Sequence, residues 1–254
     1  MAKKFITLAA RLVLSAIVVL MATVFTGCSK DSNGADEPDN PGDPGVTDES
    51  VIINPDGSAT GGAIYYRVDD VTFYLNHVKY KIEDSHLIII GCDRAELPET
   101  PQLFAEVTIN GTLFKTRYIN GGAFERSSIT AIRIPSTVLE LGGSCFYECR
   151  SLSKVIIPEG VTYLHQDCFA KCTSLTEITI PQSVTYIRSG CFDDCDNLTK
   201  ITFNGCPDIY VYSYDIWAMP FVRGVPVATA YVPNSVLSTF KAKYWRSFTE
   251  IIGY

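Results

Sequence analysis

Residues 175–195 read LTEITIPQSVTYIRSGCFDDC, and this stretch decides the fold because residues 152–172 repeat its pattern as LSKVIIPEGVTYLHQDCFAKC. Both stretches belong to a series of columns in which equivalent residues recur at a step of 23. The columns are Pro135, Pro158 and Pro181; Phe146, Phe169 and Phe192; Cys145, Cys168 and Cys191; Cys149, Cys172 and Cys195; and Ile129, Leu152, Leu175 and Leu198. A fixed period of this length is typical of a solenoid in which each repeat forms one coil.

Each repeat has the pattern of one short strand followed by turns. Ile178 and Ile180 alternate with polar residues, which predicts a strand with one buried face. Pro181 lacks a backbone N–H and ends that strand. A single coil buries too little apolar surface to offset its ordering entropy, so the coils must stack and their ends must be covered.

The flanking segments have patterns suited to covering those ends. Residues 107–114 alternate around an Asn110-Gly111 pair, which predicts a hairpin, and residues 73–90 contain further strand-like runs. Residues 230–233 predict a strand, and a helix with apolar residues at every fourth position should follow from Asn234 or Ser235. We therefore predict a strand-dominated α/β solenoid of 23-residue repeats at 119–209, an N-terminal β cap at 51–118 and a C-terminal strand–helix cap at 210–254.

The repeat resembles that of the BspA-like leucine-rich-repeat proteins, whose pattern runs approximately L-x-x-I-x-I-P-x-x-V-x-x-I-G-x-x-A-F-x-x-C. Residues 152–172 and 175–195 follow it closely, although cysteine replaces the usual alanine before phenylalanine, and His165 and Arg188 replace the usual glycine. The resemblance extends over residues 73–254. It implies a leucine-rich-repeat fold, surface exposure and adhesion-type binding, and it brings no catalytic residues with it.

The N-terminus has the pattern of an export signal. Lys3 and Lys4 precede an apolar stretch from Leu12 to Phe25, which ends at Gly27-Cys28. This arrangement resembles a bacterial lipobox, so we predict a signal peptide at 1–27 and acylation of Cys28. An uncleaved membrane helix is the alternative. Residues 28–50 are rich in Asp, Pro, Gly and Ser and predict a disordered acidic tether, consistent with an outer-membrane lipoprotein displayed on the cell surface.

Composition restricts the class of partner. The chain has 28 acidic and 21 basic residues, a net charge of −7, and it contains no dense basic run. Nucleic acid is therefore not an expected partner. We expect a monomer without a cofactor that binds a protein or a glycan and reaches the membrane through its lipid anchor.

The repeat cysteines have three possible roles. Their C-x3-C spacing is compatible with zinc, and stacked coils are close enough for disulfides. The preceding half-repeat, however, has Ala123 and Ser128 in these columns, and free cysteine packs as a small apolar residue. We expect packing, with the stacked side chains pointing in parallel. A nucleophilic pair of Cys168 with His165 would need an ionised thiolate, which a core column does not favour.

The remaining candidate is the solvent side of the strand ladder, where outward side chains stack in register as they do on the concave face of other solenoids. The candidate partner-binding residues are Arg133, Lys154, Ile156, Glu177, Thr179 and Lys200, together with Tyr163 and Tyr186, which share a column. An exposed Ile156 among basic residues predicts a positively charged binding patch. The sequence favours a non-enzymatic adhesion or ligand-binding lipoprotein; a structural accessory lipoprotein docked on an envelope complex is the alternative.

Overall fold

The computed structural model describes residues 50–54, 59–60, 63–69, 71–209, 229–244 and 248–254. The predicted signal peptide, Cys28 and nearly all of the tether lie outside the described residues. Within the described part of the chain, no helix is both long and apolar enough to cross a membrane.

Among the described residues, seven strands precede the repeats. They are β1 (Ser50–Ile53), β2 (Tyr65–Arg67), β3 (Thr72–Leu75), β4 (Val78–Glu83), β5 (His86–Cys92), β6 (Glu106–Ile109) and β7 (Thr112–Ile119). Strands β2 to β5 form an antiparallel meander, β7 lies parallel to β5, and β6 pairs with both β7 and β1. The predicted hairpin is confirmed: Asn110 and Gly111 have φ of 49° and 77°, values that an Asn-Gly turn adopts readily.

Each repeat contributes two short strands, one on each of two parallel ladders. The first ladder contains β8 (Ala131–Arg133), β10 (Lys154–Ile156), β12 (Glu177–Ile180) and β14 (Lys200–Phe203). The second contains β9 (Glu140–Leu141), β11 (Tyr163–Leu164), β13 (Tyr186–Ile187) and β15 (Asp208–Ile209). Strand β9 pairs with β7, so the second ladder and the N-terminal strands form one continuous sheet of eleven strands.

The first ladder is not continuous, in contrast to the sequence-based expectation. Strands β8 and β10 pair with each other, whereas β12 and β14 pair with two C-terminal strands, β16 (Thr229–Val232) and β17 (Glu250–Gly253). Between β16 and β17 lies the helix α1 (Leu237–Tyr244), where the sequence predicted it. Strand β17 was not predicted, and it lengthens the first ladder beyond the repeats.

The repeat columns form the core, which continues without interruption from Val51 to Ile251. The rings of Phe124, Phe146, Phe169 and Phe192 are fully buried and nearly parallel, with centroids 5.3–5.6 Å apart; we call them the ring column. All six repeat cysteines are fully buried beside it. The structure corrects the assignment of Ser128 to the second cysteine column. The buried residue in the second cysteine column of the half-repeat is Ser127, not the exposed Ser128, because the residue missing from this repeat falls after that position.

Candidate binding surfaces

The first-ladder face consists of the outward residues Arg133, Lys154, Ile156, Glu177, Thr179 and Lys200. The structure places each of them at the predicted register: Ile156 lies beside Arg133, Glu177 beside Lys200, and Thr179 beside Thr202. Glu177, Thr179 and Lys200 are exposed. Ile156 is half-buried rather than exposed, which reduces the apolar surface that it presents to a partner.

One ion pair lies on the first-ladder face. Lys200 Nζ lies 3.2 Å from Glu177 Oε2 and 5.5 Å from the centre of the Tyr231 ring. An exposed ion pair of this kind contributes at most about 1 kcal/mol to stability, yet it lowers the field that a distant anion experiences. Glu177 therefore offsets part of the positive charge that Arg133, Lys154 and Lys200 bring to this face.

The second ladder presents a different face. Its outward residues are Glu140, Tyr163, Tyr186 and Asp208, and Tyr118 on the adjoining strand β7 continues them in register. We call these five residues, which come from five adjacent strands, the tyrosine row. The rings of Tyr163 and Tyr186 stack at 5.7 Å between centroids with an angle of 24° between their planes. Tyr186 is 46% exposed although it is a large hydrophobic residue. The column that the sequence proposed for Tyr163 and Tyr186 thus exists as a stacked pair.

Polar neighbours hold the tyrosine row in place. Arg188 Nε donates a 2.5 Å hydrogen bond to Tyr163 Oη, and its guanidinium lies over the same ring. The His165 ring lies 4.3 Å from the Tyr163 ring, and His165 Nε2 is 3.3 Å from Glu140 Oε2. Three contacts from two adjacent coils therefore restrict the Tyr163 side chain before any partner arrives.

The same face continues into the N-terminal strands. Ile88 on β5 lies in register with Tyr118, and Lys81 on β4 lies in register with Ile88. The His86 ring contacts the edge of the Tyr118 ring at 5.3 Å. From Lys81 to Asp208 this row of side chains crosses seven adjacent strands, so the repeats and the N-terminal sheet share one surface.

The sequence pointed to only two residues of this surface, Tyr163 and Tyr186. Glu140 and Tyr118 occupy the Tyr163 column one and two repeats earlier, so extending that column backwards would have identified them. His165 and Arg188 appeared only as departures from the glycine of the family pattern. The structure shows that both contact the Tyr163 side chain. For Lys81, Ile88 and His86 the sequence carries no periodic signal.

The corner that follows each second-ladder strand carries the buried cysteines. Burial raises the pKa of the Cys149 thiol to about 11 and that of Cys195 to about 12, and it raises the pKa values of Cys168 and Cys172 well above the ordinary value. Such thiols remain protonated at neutral pH, so Cys168 does not have the properties of a nucleophile. Across the described residues, no three His, Cys, Asp or Glu side chains are grouped as metal ligands.

The outer side of this corner carries an ionic cluster centred on Glu148. Arg126 Nε lies 2.9 Å from Glu148 Oε2, and Lys171 Nζ lies 3.3 Å from Glu148 Oε1. The hydrogen bond from Arg126, with help from Lys171, holds the pKa of Glu148 below its ordinary value of 4.5. These three residues come from consecutive repeats, so the cluster connects three coils at the surface.

One protein-family model matches the repeats. Residues 103–215 match the model described as a BspA type leucine rich repeat region, in six copies. The match begins at Leu103, before the first repeat that the sequence columns define, and therefore includes β6 and β7. None of the curated proteins compared with the chain matches it.

The solved structures to which this chain is similar include leucine-rich-repeat proteins of several bacteria. A leucine-rich repeat protein of T. pallidum is 20% identical, with a TM-score of 0.52, over 70% of this chain and 80% of its own. A leucine-rich repeat protein from Bacteroides capillosus is 28% identical, with a TM-score of 0.49, over 54% of this chain and 100% of its own. A leucine rich cell surface protein from Faecalibacterium prausnitzii is 18% identical, with a TM-score of 0.40, over 66% of this chain and 54% of its own. The T. pallidum likeness shows a shared fold.

Proposed function

We propose that this protein, whose residues 103–215 are a BspA-type leucine-rich repeat region, is a non-enzymatic binding protein that bacteria display on their surface and that contacts a protein or glycan partner through the tyrosine row. Leucine-rich-repeat proteins generally act as binding scaffolds, because stacked repeats present side chains on an extended and rigid surface. The observation that carries the proposal is the stacked pair of the half-buried Tyr163 and the exposed Tyr186, within a row of outward side chains that crosses seven strands.

Side chains that are already held in place before a partner binds favour high affinity. Tyrosine and arginine are enriched among the residues that dominate binding energy, and ordering a free side chain at an interface costs about 0.5–1.5 kcal/mol. Tyr163 avoids much of that cost because Arg188 and His165 already contact it. Tyr186 keeps 46% of its surface exposed, and a partner that covers it gains the burial of this ring.

The first-ladder face is the weaker candidate for the contact. It contains the ion pair Lys200–Glu177, and its apolar residue Ile156 is already half-buried. A face of this composition offers a partner less exposed aromatic surface than Tyr186 provides on the tyrosine row. We therefore assign the principal contact to the tyrosine row.

Display on the cell is the second half of the proposal. The lipobox-like residues before Cys28 support cleavage there, and the acidic segment that follows provides reach between the membrane and the repeats. Stable anchoring needs two or more acyl chains, since one chain gives only marginal membrane binding. The acylated protein would thus hold its repeats outside the outer membrane.

The binding half can be tested with purified protein and a panel of immobilised extracellular-matrix proteins and glycans. For whichever ligand is retained, Tyr186→Ala should weaken binding about 30-fold or more, mainly by faster dissociation, as expected for a residue that contributes about 2 kcal/mol or more. Tyr231→Ala is the matched control, because Tyr231 is a half-buried tyrosine on the first ladder.

If binding depends on first-ladder residues and not on Tyr186, the contact lies on the first-ladder face. In that case Ile156→Asp would shorten the lifetime of the complex and charge reversal at Lys154 and Lys200 would slow association, while Tyr186→Ala would have no effect.

A further inference from the structure

The two cysteine columns differ in what their thiols contact. In the first column, Cys145 Sγ lies 3.3 Å from Cys168 Sγ, and Cys191 follows in the next coil. All three residues are fully buried. Sulfur atoms at this distance are directed at each other, so in this column the side chains do not point in parallel as the sequence suggested.

In the second column the thiols are directed at the backbone. Cys149 Sγ donates to the carbonyl oxygen of Phe124 at 3.0 Å, Cys172 Sγ to that of Phe146 at 3.3 Å, and Cys195 Sγ to that of Phe169 at 3.1 Å. Each of these thiols thus satisfies a carbonyl group of the preceding coil. The two columns have the same residue type and the same burial but opposite sulfur environments.

We propose that Cys145 and Cys168 form a site of disulfide modification that joins two consecutive coils. The two coils are in direct contact at this point, because Phe146 N donates to the Cys168 carbonyl oxygen at 2.9 Å. Chains hydrogen-bonded in this way lie about 4.8 Å apart, which falls within the roughly 4.4–6.8 Å between Cα atoms that a disulfide requires. The two sulfur atoms must approach by only about 1.3 Å to reach the bond length of about 2.05 Å. Cys191 then keeps its proton, because Cys168 can form one bond to sulfur at a time.

The reaction needs an oxidant, and a low-molecular-weight disulfide supplies it. Two successive exchange steps convert the two thiols and one molecule R–S–S–R into the Cys145–Cys168 disulfide and two molecules of R–SH. Two electrons and two protons pass from the cysteine thiols to the reagent, so the balance is complete. Oxidising conditions of this kind are those of the cell envelope, where the proposed export signal would direct the protein.

Burial determines how fast the site reacts. A fully buried, protonated thiol exchanges slowly, so the first step requires local opening of the coil corner. Oxidation should therefore accelerate at guanidinium concentrations below the unfolding transition. Once formed, the bond closes a loop between neighbouring coils, restricts the unfolded chain and raises the guanidinium midpoint.

The test uses the reduced, purified full chain and oxidised glutathione at a guanidinium concentration below the transition, followed by alkylation of the remaining thiols, proteolysis and mass spectrometry. The expected result is the loss of two alkylatable thiols and a cross-linked peptide pair that contains Cys145 and Cys168. Persistence of all thiols, glutathione adducts alone, or a cross-link that includes Cys149, Cys172 or Cys195 would overturn the proposal.

Two variants sharpen the result. Cys168→Ser removes the middle thiol, so no cross-link within the first column should form, whereas Cys172→Ser should leave the Cys145–Cys168 cross-link unchanged. Cys172 is the matched control because it lies in the same coil with the same burial, and serine can still donate to the Phe146 carbonyl. If Cys168→Ser fails to fold, the peptide map of the wild-type protein decides the question by itself.

Discussion

Replacing Phe169 by leucine should destabilise the protein more than the same change at Phe124, because the two rings have different numbers of stacked neighbours. Phe169 lies between Phe146 at 5.3 Å and Phe192 at 5.6 Å, whereas Phe124 stacks on Phe146 alone, at 5.4 Å. Both side chains are fully buried. The two substitutions therefore remove the same ring from equally buried sites. They differ because Phe169→Leu takes a stacking partner from two rings and Phe124→Leu takes one from a single ring.

The expected magnitudes follow from this stacking. An aromatic pair contributes about 0.5–1.5 kcal/mol beyond its buried area, so Phe169→Leu loses about 1–3 kcal/mol of ring stacking and Phe124→Leu about half of that. Phe169→Ala adds the loss of burial and an incompletely filled cavity, with a cost of about 3–5 kcal/mol before stacking is considered. Native proteins are stable by only about 5–15 kcal/mol, so this variant should be close to unfolding.

Guanidinium unfolding of the full chain, followed by far-UV circular dichroism, measures these differences provided that the slope of each transition is unchanged. If Phe169→Leu costs no more than Phe124→Leu, the second stacked neighbour contributes nothing to stability. A cost of less than about 2 kcal/mol for Phe169→Ala would contradict the expected magnitudes, since neither burial nor stacking could then contribute as stated. A reduced slope would instead show that the coils unfold in parts, as repeat arrays do when neighbouring repeats become uncoupled.

Two further predictions concern charge and anchoring. The pKa of Glu148 is lowered in the folded protein, so its ion pairs stabilise the fold above the ordinary value of 4.5, and this contribution disappears as the pH falls through the lowered value. The stability difference between the wild type and Glu148→Gln, measured by guanidinium unfolding between about pH 7 and pH 3, should therefore shrink as the pH falls. A difference that stays the same at all pH values would contradict a stabilising role for the ionised Glu148. Arg126→Gln should make the stability of the protein depend less on pH over this range. Mass spectrometry of the protein from bacterial membranes should find cleavage before Cys28 and a diacyl or triacyl group on that residue, whereas an intact Met1 or an unmodified Cys28 would exclude a lipid anchor.

The repeated part of the fold was predictable because every repeat imposes the same steric requirement on the same columns. A ring, a small residue beside it and a branched aliphatic residue must each stack on their equivalents, so Phe169 and Leu175 have counterparts in neighbouring repeats. The Asn110-Gly111 hairpin was predictable for a local reason, because this pair favours a turn with positive φ. In both cases the determining contacts are readable from residue type and spacing alone.

Other features depend on contacts that spacing does not report. Periodicity assigns Cys145 and Cys149 equivalent small-residue positions, yet the sulfur of one is directed at another thiol and that of the other at a carbonyl group. Strand β17 follows a helix, so no column predicts that it lengthens the first ladder. The outward charges of Lys154, Glu177 and Lys200 could be placed from the sequence, but the pairing of Lys200 with Glu177 depends on rotamers.

The two ladders are lengthened at opposite ends of the repeats, and this difference favours the second ladder as the binding surface. The first ladder gains β16 and β17 at its C-terminal end but is interrupted between β10 and β12. The second ladder is uninterrupted and gains β7, β5 and β4 at its N-terminal end. Six steps of about 4.8 Å between strands give a continuous row roughly 29 Å long, which matches the width expected of a standard interface of about 800 Å² on each partner. A rigid surface of that length forms only because the N-terminal strands join the repeats in one sheet, so a change at Ile88 or Tyr118 should affect the same partner as a change at Tyr186.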